Sequence, residues 1–96
     1  MTGAELIAAE RQRQVDVEGW TPEHDDEHTG RELARAAACY ATNSRWGMDN
    51  PGVMPFNWPW EWDAWKPSAD EVRNLVRAGA LIAAEIDRLR RRKATP

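Results

Sequence analysis

Cysteine is nearly absent. The one thiol among 96 residues, Cys39, excludes an internal disulfide and suits a reducing compartment. It lies in the run Ala36-Ala37-Ala38-Cys39-Tyr40, where a buried, inert thiol is expected rather than a nucleophile. Long apolar runs are missing too. The longest weakly polar stretch, Ala78 to Ile86, is too short to span a bilayer, and the mean hydropathy is -0.76. The first residues show neither a basic region nor an apolar stretch after it, so secretion is not indicated and a cytoplasmic chain is expected. Glycine-rich phosphate loops are absent, Ser44, Ser68 and Cys39 lack a base at a patterned spacing, and no carboxylate pair is singled out for raised pKa. These absences point to a binding protein that needs no cofactor, not an enzyme.

Basic residues are also missing locally. From Asp16 to His28 there are six acidic residues and no Lys or Arg, whereas five of the six residues from Arg88 to Lys93 are basic. Cations at the end of a helix complement its dipole, and the overall charge of -3 argues against a duplex nucleic acid as partner.

What is abundant is tryptophan. Five of six fall between Trp46 and Trp65, and the sixth is Trp20. An indole buries roughly 150–250 Å², and a domain of this size is stable by only about 5–15 kcal/mol. Most of the six are therefore expected in the core, leaving one or two for a ligand. Extended backbone would put Trp58, Trp60 and Trp62 on one side.

The chain is read as mainly α: one three-helix domain with a long Trp/Pro-rich irregular segment between helices two and three. Thr2-x-x-Glu5, Thr29-x-x-Glu32 and Ser68-x-x-Glu71 all match the capping box. Helix one is predicted over 3–17 with Leu6, Ile7, Ala9 and Val15 inward. Gly19 ends it, and Pro22 falls in the loop 18–29 that follows. Helix two is predicted over 30–41, with Leu33, Ala37 and Tyr40 on one face. The segment 42–67 holds four prolines, which exclude continuous helix or central strand. Helix three is predicted over 68–92 with Val72, Leu75, Val76, Ile82, Ile86 and Leu89 as its apolar stripe. That stripe is long for so small a core, so oligomerisation through helix three is a further expectation. Gly79 inside it implies a close neighbour.

Two patterns carry candidate chemistry. Alternating aromatics with nearby cations suit a flat ring bearing phosphate: Trp20, Tyr40, Trp58, Trp60 and Trp65 as walls, with Arg11, Arg45, Lys66 and Arg73 as cations. Thr21 and His24 belong to the same turn as Trp20 and join the candidate ligand-binding set. The second pattern is His24 and His28 one helical turn apart among Asp25, Asp26 and Glu27, a spacing that could bind a metal in a hydrolase. Asp25 follows His24 where the zincin pattern has glutamate, and a local role is preferred. Asp25 or Asp26 would hold an arginine such as Arg11 or Arg13, and no metal is assigned.

The stretches Glu10-Arg11-Gln12-Arg13-Gln14, Gly19-Trp20, Asp25-Asp26-Glu27-His28, Trp58-Pro59-Trp60-Glu61 and Asp70-Glu71-Val72-Arg73 occur in an order that resembles the ryanodine-receptor repeat, or RyR domain, of short bacterial and phage proteins. The segment Gly19-Trp20-Thr21-Pro22-Glu23-His24-Asp25-Asp26 is likewise similar to one in small phage and prophage proteins. The resemblance implies a compact helical module that sequesters a nucleotide-derived immune signal, such as a cyclic nucleotide or an ADP-ribose derivative, in the host cytoplasm. Inhibition of a host protein by direct contact is the alternative.

Overall fold

The computed structural model describes residues 1–94, and among them the protein is helical with no strand. Five α-helices and one 3₁₀ turn follow in order: α1 (Gly3–Asp16), α2 (Pro22–Asp25), α3 (Glu32–Thr42), α4 (Ser44–Asp49), the 3₁₀ turn Trp62–Ala64, and α5 (Glu71–Ala94). The mainly helical class matches the reading from sequence; the layout is richer than three helices. The loop expected over 18–29 contains α2, and the segment expected to be irregular over 42–67 contains α4 and the 3₁₀ turn.

Of the three capping boxes only the first forms. Thr2 Oγ1 accepts from the Glu5 amide at 3.2 Å, and Glu5 returns the bond to the Thr2 amide at 2.9 Å. At α3 the residue before the helix is Arg31, in a left-handed conformation with φ of 66° and no side-chain cap. Glu32 turns instead toward His28, 3.4 Å from its Nδ1. At α5, Asp70 displaces Ser68: its Oδ1 accepts from the amides of Val72 at 3.0 Å and Arg73 at 3.5 Å. Ser68 is drawn aside by Asn74, which bonds its amide and its carbonyl. A cap at Thr21, with Pro22 at the first helical position, opens α2.

The core lies where α3 meets α5. Leu33, Ala36, Ala37, Cys39 and Tyr40 of α3 face Ala78, Leu81 and Ala84 of α5, with Trp58 and Trp65 closing one side and Trp20 and Trp60 packed against the cluster. Alanines on both helices permit a close approach.

Two expected faces are corrected. On α5 the residues predicted to point inward, Val72, Leu75, Ile82, Ile86 and Leu89, are exposed, and Val76 is half-buried. The buried face is Asn74, Ala78, Ala80, Leu81, Ala84, Glu85 and Arg88. Small side chains win because they let the helices approach, and the polar ones are satisfied in place, as by the 2.6 Å bond from Arg88 Nε to Glu85 Oε1. On α1 the buried residues are Glu10 and Gln14; Ala9 is exposed, and Leu6, Ile7 and Val15 are half-buried. Ile7 occupies the space that a side chain at Gly79 would need, which is the close neighbour that glycine implied. The tryptophans divide differently as well: Trp58 and Trp65 are buried, Trp20 and Trp60 half-buried, Trp46 and Trp62 exposed. Trp58, Trp60 and Trp62 do not share a side, since the 3₁₀ turn rolls the backbone over at Trp62.

Candidate functional site

Gly19, with φ of 73°, lets the chain reverse after α1 so that the Trp20 amide reaches the Gln14 carbonyl at 3.0 Å. The one-turn helix α2 then places His24 over the Trp20 indole, the two rings nearly parallel (2°) with centroids 6.2 Å apart. His28 meets His24 edge-on at 5.0 Å and leans against Trp60 at 5.3 Å. Trp60 stands perpendicular to Trp58 at 5.4 Å, and Trp58 packs on Tyr40 and Trp65. Seven rings thus run in unbroken contact from the surface at Trp20 to the core at Trp65.

Four bonds hold the outer end of this arc. Arg11 forks between α1 and α2, donating to the buried carboxylate of Asp25 at 2.8 Å and to the Trp20 carbonyl at 3.3 Å. Arg91 of α5 donates to Asp26 at 2.7 Å and to the Pro22 carbonyl.

The arc walls an open pocket of about 230 Å³ lined by Trp20, His24, His28, Leu33, Trp60 and Ala64, an almost wholly apolar and aromatic surface. A second pocket, of about 200 Å³, shares Trp20 and Ala64 with it and is polar: Glu10, Arg13, Gln14, Glu18, Tyr40, Lys66 and Arg77 complete its lining. Arg13 is tied to Glu10 by two bonds of 2.8 Å and to Glu18 at 3.1 Å. The bonds from Arg13 hold the Glu10 carboxyl below its ordinary range, against the opposing effect of burial. Arg77 lies over the Tyr40 ring, 4.9 Å from its centroid, and donates to the Lys66 carbonyl at 2.6 Å. Gln14 is only 1% exposed, and its Oε1 has no hydrogen-bond partner among the described residues.

The residues singled out in the sequence are distributed as follows. Trp20, His24 and Trp60 line the aromatic pocket, and Trp20, Tyr40 and Lys66 line the polar one. Trp58 and Trp65 lie behind them in the core. Thr21 caps α2, and Arg11 is occupied by Asp25 and Trp20. Arg45 is not brought to either pocket. It pairs with Asp49 at 3.2 Å and lines a separate depression of about 290 Å³ with Ser44, Glu71, Asn74 and neighbours. Arg73 reaches toward Glu10 at 3.7 Å.

Sequence reasoning missed His28 as a wall, although its spacing from His24 was visible. It also missed Arg13, Gln14 and Arg77, for which no local signal exists. His24 and His28 do not acquire further ligands: among the described residues no group of three or more His, Cys, Asp and Glu could hold a metal ion. Cys39 is buried, which pushes its thiol up and leaves it protonated. No helix among the described residues is long and apolar enough to cross a membrane. No protein-family model, curated protein or solved structure matches the chain.

Proposed function

We propose that this protein is a non-enzymatic module that binds a nucleotide-like small molecule, with its base on the aromatic side of Trp20 and its phosphate on the cationic side. The observation that carries the reading is the shared lining: Trp20 and Ala64 border both an apolar aromatic pocket and a pocket bearing Arg13, Lys66 and Arg77. A flat heterocycle gains from stacking between Trp20 and Trp60, and Leu33 and Ala64 supply an apolar floor. Arginine and lysine suit phosphate oxygens, and their partial neutralisation by Glu10 and Glu18 favours a ligand of modest charge. The likeness to RyR-type modules of small phage proteins belongs to the same proposal: the chain would act in the host cytoplasm by sequestering a nucleotide-derived immune signal.

Calorimetry with cyclic di- and trinucleotides and ADP-ribose derivatives tests it. Binding should appear with at least one of them at tens of micromolar or tighter, and Trp20→Ala should weaken it by about 5- to 100-fold, the worth of one stacked base. No heat with any of the panel, or an unchanged affinity in Trp20→Ala, removes the reading.

One observation favours the alternative, a protein-interaction module that inhibits a host protein. Phe56 is fully exposed, and Val53, Met54 and Trp62 are exposed near it in sequence. Such side chains are typical anchors of protein interfaces. A stoichiometric host partner lost on Phe56→Ser and Trp62→Ser, with no small molecule released on denaturation, would favour that reading over the first.

A further inference from the structure

The exposed side of α5 repeats with a period that a solvated face does not need. Val72, Leu75, Ile82, Ile86 and Leu89 are each 39–58% exposed, and with Gly79 they follow alternating steps of three and four residues over the whole stripe. That is the spacing of a helix seam that packs against another helix. The gap at Gly79 is filled by Ile7 of α1, half-buried, so the apolar surface is continuous across it.

We infer that this stripe pairs, antiparallel, with the same stripe of a second copy of the chain. Charge selects both the occupant and the direction. The helix begins with exposed Asp70 and Glu71 and ends with exposed Arg90 and Arg92. An antiparallel pair centred between Gly79 and Ile82 sets Val72 opposite Leu89 of the second copy and Leu75 opposite its Ile86. The same register puts Glu71 beside Arg92 of the second copy, on the same edge of the stripe, twice by symmetry. A parallel pair would set like charges together at both ends. A membrane surface would favour cations along both edges of the stripe, and here the first turn is acidic. The contact is a single helix face, smaller than the roughly 800 Å² per partner of a standard interface, so the dimer is weak and concentration-dependent. This inference stands apart from the ligand reading, whose pockets lie elsewhere on the chain.

Sedimentation equilibrium of the whole protein over about 5–300 µM should show a monomer passing to a dimer. Ile82→Glu with Ile86→Glu should abolish the dimer without changing helix content or thermal midpoint at low concentration, since both side chains are exposed in the monomer. Glu71→Arg alone should raise the dissociation constant by about three- to tenfold, and adding Arg92→Glu should restore it. A monomer at every concentration overturns the inference, as does a dimer that survives Ile82→Glu with Ile86→Glu. Charge exchange without rescue overturns the antiparallel pairing. A protein that stays monomeric but binds phosphatidylcholine–phosphatidylserine vesicles through this stripe overturns it in favour of lipid.

Discussion

Gly47 occupies a corner that no side chain can share. A Cβ there would lie 2.9 Å from the Trp65 indole and 2.9 Å from the Pro67 ring, and neither ring can swing aside. Alanine would improve helix propensity by up to about 1 kcal/mol, but overpacking of this kind costs about 1–3 kcal/mol. Gly47→Ala should therefore lower stability by about 1 kcal/mol, measured by urea unfolding. Nothing in Arg45-Trp46-Gly47-Met48 announces this contact, because Trp65 reaches the glycine from eighteen positions away. Residues whose burial follows from their own helix were legible: Leu33, Ala37 and Tyr40 share the face that spacing assigned them, and all three are buried. The burial of each tryptophan was not legible, since it depends on where the backbone turns. Trp62 was grouped with Trp58 by alternation, and the 3₁₀ turn Trp62–Ala64 separates them.

At the scale of elements, α5 shows where periodicity and size disagree. A reading by hydrophobicity selects the large aliphatics, and they do form a single stripe. The face that packs was chosen by the neighbouring helix: α3 presents Ala36 and Ala37, and Ala78 and Ala84 fit against it more closely than isoleucine would. Capping was ambiguous for a related reason. Ser68 and Asp70 are both good cap residues, and the choice between them depended on Asn74 capturing Ser68. Asp70→Ala should then cost about 1 kcal/mol, while Thr29→Ala, at a box that does not form, should be close to neutral. Thermal melts of the two variants separate the cases. Helix α2 was hidden by its brevity, although Thr21-Pro22 is a good opening for a helix. The candidate site was half legible. The aromatic walls Trp20, His24 and Trp60 could be named from composition, whereas Arg13 and Gln14 look like the solvated face of α1 until its partner is seen.

The molecule as a whole is thin, 46 × 32 × 21 Å, and its shortest dimension is about two helix diameters. Among the described residues, no third element lies on the outer side of α5. Thinness also makes the α1–α5 junction important, where Ile7 packs at Gly79 and Glu10 faces Arg73. Glu10 is buried, bonded to Arg13 and near Arg73, and its carboxyl titrates below the ordinary 4.5 because Arg13 donates to it. A carboxylate whose folded pKa is depressed stabilises the fold above its unfolded pKa, and that contribution is lost as pH falls through the lower, folded value. Stability should therefore hold from neutrality to about pH 5 and decline below the ordinary carboxylate range. Glu10→Gln should be less stable at pH 7 and decline less steeply on acidification, as followed by circular dichroism in urea at stepped pH.

Trp20 lines both the aromatic cavity and the charged one beside it. A ligand that turns this shared side chain in one cavity changes the shape of the other, and whatever factor it changes the second affinity by returns in reverse. Fragments of a ligand measured one at a time would consequently fail to sum to the intact molecule, and the size of that discrepancy reports the stiffness of a single side chain.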